Sequence, residues 1–135
     1  MNRLAARAAC LALLGAPGLA SAHHSFAMYD PEKLVTITGT VKEFQWTNPH
    51  SVIWVVTGGG GKPTDLWSIE LSTSPGNLTR MGWSKHSLNP GERVAIELNP
   101  LRDGRHGGSL KKATLLVTGQ VLTTTPVGGV SPAAK

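Results

Sequence analysis

The chain has 135 residues, including 16 Gly, 9 Pro, four Trp and a single Cys, which fits one small domain and excludes a multidomain enzyme. Hydrophobic residues make up 40% and charged residues 16%, with a mean hydropathy of -0.06, the composition of a folded domain and not of a disordered one. The formal charge is +5, and Lys111-Lys112 is the only adjacent basic pair, so the chain carries no basic stripe of the kind that binds nucleic acid.

Residues 1–22 read as a secretory signal peptide: Arg3 and Arg7 precede the apolar run Ala8 to Leu14, and Ala20-Ser21-Ala22 supplies the small residues of a cleavage site. The apolar run falls short of the roughly 20 residues needed to span a bilayer. Cleavage after Ala22 removes Arg3 and Arg7, lowers the formal charge to +3 and exposes His23. Cys10 leaves with the leader, so neither a disulfide nor a thiolate metal site is expected in the mature chain. A soluble periplasmic protein without a membrane anchor is the expectation.

Residues 23–33 lack periodicity and include Asp30-Pro31, which starts turns, so an extended N-terminal arm is expected there. From Leu34 to Trp46, Val35, Ile37, Gly39 and Val41 share one alternation, whereas Phe44 and Trp46 follow the opposite one; a strand with a bulge near Gly39 to Glu43 accounts for the change of phase. Thr47-Asn48-Pro49-His50 is a turn, and the apolar run Ser51 to Thr57 is a second strand. Gly58 to Lys62 forms a hairpin loop into a third strand, Asp65 to Leu71; without a Gly-Lys-Ser/Thr ending it is not a phosphate cradle. Ser74 to Trp83 carries N-cap residues and a Gly stop around one or two helical turns. Arg93 to Leu98 is the fourth strand, Ser109 to Leu122 holds the fifth, and 123–135 is a Thr-, Gly- and Pro-rich tail expected to be disordered. Three strands, a short helix and two strands over 34–122 predict an all-β domain, a small, partly open five-stranded barrel of the oligonucleotide/oligosaccharide-binding (OB) type, with a small β-sandwich as the alternative.

The segments Thr38-Gly39-Thr40-Val41, Trp46-Thr47-Asn48-Pro49-His50 and Gly82-Trp83, with His23-His24-Ser25-Phe26 before them and Ser87-Leu88-Asn89-Pro90-Gly91-Glu92 after, resemble the DUF6152 family of small exported bacterial proteins. The resemblance runs from His23 to about Leu122 and implies a periplasmic setting. The family is one of unknown function, so the resemblance supplies no reaction, substrate or site. The Gly58–Gly61 run and the Gly104–Gly108 loop depart from its pattern, leaving His106 supported by its loop position alone.

Chemistry is most legible at the new N-terminus. A leading His23 offers an α-amine and an imidazole to one metal ion, and a further histidine nitrogen completes a T-shaped histidine brace suited to copper. His24, His50, His86 and His106 can supply that nitrogen; His50, in the first inter-strand loop, is preferred, with His106 in the loop before the fifth strand. The other reading makes the histidines structural. Trp54 and Trp67 are expected in the core, while Trp46, Asn48 and Trp83 flank loops and are the candidate ligand-binding residues of an OB-type module that holds a small ligand or an envelope protein. Glu70 and Glu97 read as solvent-facing strand residues, and the eight carboxylates form no evident acid–base pair, so an enzyme is not expected. Oligomeric state is not legible.

Overall fold

The computed structural model describes residues 26–125. In chain order it holds a 3-10 turn (Phe26–Met28), β1 (Val35–Gln45), β2 (Ser51–Gly59), β3 (Lys62–Leu71), α1 (Pro75–Arg80), β4 (Arg93–Pro100), β5 (Gly107–Leu115) and β6 (Val121–Thr123). β1 pairs with β2 and with β4, β2 with β3 and β4 with β5, all antiparallel; a parallel pairing of β3 with β5 joins the two ends into a barrel. This strand order, with a helix between β3 and β4, is that of the expected OB-like barrel, and a single sheet closed on itself excludes the sandwich.

Two expectations need correction. The barrel is closed, not partly open, because Ser68, Ile69 and Glu70 pair with Gly107, Gly108 and Ser109. The region Ser109 to Leu122 is two strands: Gly119 takes a positive φ of 74° in the turn after Leu115, and the chain returns as β6 along Lys112 to Thr114. β6 therefore covers the part of the β5 edge that β3 leaves unpaired, and takes in Thr123, the first residue of the expected tail. Residues 126–135 lie outside the described residues, as do the segment expected to be a leader, His23 and His24.

The change of phase in β1 is a bulge: Val41 pairs with Val55 and Glu43 with Trp54, which leaves Lys42 extra. Inward positions then fill the barrel with Ile37, Val41, Ile53, Val55, Ile69, Leu71, Val94, Ile96, Leu98, Leu110, Ala113 and Leu115. Ser74 caps α1 by accepting from the Asn77 amide, and the helix presents Leu78 to the core beside Trp83 and Leu88. Trp83 is 1% exposed, sits 5.9 Å from the ring of Phe44, and donates its Nε1–H to the Thr123 carbonyl at 2.8 Å. Its place beside a glycine loop thus hides a core residue.

Barrel closure depends on β5 beginning with two glycines. A Cβ on Gly108 would meet the Asn99 carbonyl oxygen at 2.3 Å and Leu98 Cδ1 at 2.4 Å. Gly108→Ala is therefore expected to destabilise the fold by about 1–3 kcal/mol through forced displacement of β4. Urea unfolding of the variant checks this, and an unchanged midpoint would mean that β4 yields freely.

Candidate functional site

In β3, alternation turns Ile69 and Leu71 inward and Ser68 and Glu70 outward; Trp54 and Val52 of β2 stand directly opposite the latter pair. The N-terminal arm lies over this outer face. Its Phe26–Met28 turn leads to Tyr29, which makes a β-bridge with Leu101; the Asp30 amide donates to Pro100 O at 2.9 Å and the Arg102 amide to Met28 O at 2.9 Å. Arg102 Nε also donates to Ala27 O at 3.1 Å, and Asn99 Nδ2 to Lys33 O at 2.6 Å, so the arm is tied to β4 and the loop after it along most of its described length.

Glu70 is the hub of the face. Its Oε2 accepts from the Tyr29 hydroxyl at 2.5 Å and its Oε1 lies 2.5 Å from His50 Nδ1. A carboxylate only accepts, so Nδ1 carries a proton, and in the neutral ring the lone pair lies on Nε2. Glu70 is no solvent-facing strand residue: its side chain is 20% exposed, as is that of His50. Burial, and secondarily the Glu70 carboxylate, holds the Tyr29 hydroxyl well above the usual phenol range, so Tyr29 stays a donor. The ring of Phe26 lies 6.4 Å from that of His50, which brings the start of the described chain to the histidine.

Tyr29 borders two clefts. One, of about 140 Å³, is bounded by Val52, Trp54, Ser68, Glu70, Leu101 and Gly108; the other, of about 260 Å³, is bounded by Phe26, Pro31, Ser72, Asn99, Ser109 and Lys111. Trp54, expected in the core, is half-buried in the outward phase, and its Nε1 is buried with no acceptor among the described residues.

The other candidate residues are scattered. His106 stacks on Trp67, ring centroids 4.9 Å apart and planes within 20°, with its Nδ1 3.6 Å from Asp65. Trp67, expected in the core, is half-buried and packs against the core from its edge, in the part of β3 that precedes the fully covered Ile69 and Leu71. His106 thus faces Asp65 and Trp67, whereas His50 faces Glu70; in the loop before His106, Arg105 Nε lies 2.8 Å from Asp103 Oδ2, and Arg105 holds the Asp103 carboxyl below its usual range. His86 is exposed in the loop after α1. Trp46 is half-buried edge-on to Phe44, Asn48 is exposed beside a cis peptide to Pro49, and the buried Trp83 has no surface to offer a ligand. Among the described residues no three His, Cys, Asp or Glu stand together as a metal site, so a metal at His50 needs donors from beyond them.

Sequence reasoning missed Glu70 and Tyr29. The usable signal was Tyr29 itself: a buried tyrosine needs a partner for its hydroxyl, and the only acidic residue in the second half of β3 is Glu70. Among the described residues no helix is long and apolar enough to cross a membrane. Comparison with curated proteins and with solved structures finds no match. Residues 11–111 do match the model of a family of unknown function, and the chain belongs to that family, DUF6152.

Proposed function

We propose that the protein is an exported, periplasmic barrel that binds one copper ion through His50 Nε2 and the α-amine and imidazole of His23, with His24 as the alternative nearby donor. The observation that carries this reading is the Glu70–His50 contact at 2.5 Å. A carboxylate on one ring nitrogen fixes the tautomer, aims the other nitrogen and raises its basicity, which is the usual support behind a metal-binding histidine. The sequence supports the rest: His23 precedes Phe26 by three residues, a reach of about 10 Å, and Phe26 is already beside the His50 ring. Amine and imidazole nitrogens suit copper, whose affinity is the highest of the first-row divalent ions.

The test is a calorimetric copper titration of protein beginning at His23, alongside protein with one residue added ahead of His23 and a His50→Ala variant. Tight one-to-one binding is expected for the first, and affinity weaker by about a hundredfold or more for the other two, since each removes one of three donors. Equal binding by all three would refute the assignment. The mass of the protein recovered from a periplasmic extract checks the start at His23 independently.

A further inference from the structure

The larger cleft beside Tyr29 has a chemistry of its own. β5 carries a bulge here: Glu97 pairs with Lys112 and Leu98 with Leu110, so Lys111 is extra and both lysines turn outward. Lys112 is neutralised by Glu97 at 2.5 Å. Lys111 instead borders the cleft, with no carboxylate partner among the described residues. Beside it Ser72 Oγ and Ser109 Oγ lie 2.6 Å apart, and Ser109 is only 8% exposed. Two hydroxyls bonded to each other use one of their two hydrogens, so one O–H remains to donate, and no acceptor for it stands among the described residues. The rest of the lining is Phe26, 58% exposed, Pro31, the ring of Tyr29, and Asn99, whose Nδ2 donates to the Lys33 carbonyl.

We infer that this cleft binds a small organic carboxylate with a flat apolar body, the carboxylate between Lys111 and the Ser72–Ser109 pair and the body against Phe26 and Tyr29. A volume of about 260 Å³ falls just under the 300–1,000 Å³ typical of ligand pockets, which restricts the occupant to roughly a single ring with its acid group. The anion meets one cation and one hydroxyl donor, and the ring replaces water on an aromatic surface that is exposed without it. The inference does not depend on the copper proposal, although Phe26 and Tyr29 also border His50 and Glu70.

The probe is benzoate, titrated into 15N-labelled protein in the presence of a chelator and followed by amide resonances. Millimolar binding that moves Ser72, Ser109 and Lys111 is expected. Lys111→Met, which keeps the stem and removes the charge, should weaken it about tenfold, as should replacing benzoate by neutral benzamide. Phe26→Ala should weaken it severalfold, whereas His50→Ala should leave it unchanged. The inference is overturned if benzoate moves nothing at tens of millimolar, if Lys111→Met binds as well, or if inorganic phosphate binds as tightly and so uses charge alone. Loss in His50→Ala also overturns it, because the anion would then be held at the histidine.

Discussion

Trp83→Ala is expected to lower the unfolding free energy by about 3–5 kcal/mol, the largest stability effect of any single substitution considered for this barrel. Two contributions act together. Trp83 is 1% exposed and is the largest of the fully buried side chains among the described residues, so truncation opens a cavity bordered by Phe44 and neighbours such as Leu78, residues fixed by β1 and α1. The Thr123 carbonyl loses its indole donor, which loosens β6. A domain of this size is held by roughly 5–15 kcal/mol in all, so the variant should melt about 20 °C lower or fail to fold at 37 °C. Trp83→Phe keeps most of the volume and should lose less than half as much. Thermal unfolding followed by circular dichroism distinguishes these outcomes, and a Trp83→Ala melting point within a few degrees of the parent would show that the indole is not a core residue.

That tryptophan also marks the limit of what alternation reveals. β1, its bulge, the Gly58–Lys62 hairpin and α1 were legible because each leaves a local trace: a change of phase at Lys42, four glycines, an N-cap serine. Barrel closure left no such trace, since the β3–β5 pairing rests on Gly107 and Gly108, which look like loop residues until a strand approaches them. β6 was hidden because Thr118-Gly119 interrupts a run of β-branched residues too briefly to read as a turn. Trp83 was misread because it stands beside a glycine loop, and Trp67 because period-two patterning tells which face a strand residue takes but not how far along the barrel the cover extends. For the candidate site, the turn that carries His50 was legible from Asn48-Pro49. Glu70 was not, because its partners Tyr29 and His50 lie 41 and 20 positions away and one of them belongs to an arm with no periodicity at all. His106 was chosen for its loop, and there it stacks on Trp67 beside Asp65 instead of meeting Glu70.

Glu70→Gln should weaken copper binding about 10–100-fold without unfolding the protein, the size usual for removing the carboxylate behind a metal-binding histidine. The amide is nearly isosteric with the acid, so its carbonyl oxygen can still accept from His50 Nδ1, and its NH₂ can donate to the Tyr29 oxygen where the carboxylate accepted from the hydroxyl. Ring orientation therefore survives while the negative charge is lost, and His50 Nε2 becomes a poorer donor to a cation. Glu70→Ala differs in kind: it strands the Tyr29 hydroxyl on a residue only 7% exposed, and should cost about 1–3 kcal/mol of stability in addition to the affinity. A merely structural Glu70 would give the reverse pattern, with Gln harmless to metal affinity and Ala harmful only to stability. Calorimetric copper affinities and urea midpoints measured on the same two variants separate the cases, and the electron paramagnetic resonance spectrum of the copper-loaded proteins adds a third readout. If Glu70 tunes a bound histidine, the nitrogen coupling changes in Glu70→Gln while the unfolding midpoint stays fixed; an unchanged spectrum and affinity would remove Glu70, and with it the main support for His50, from the metal site.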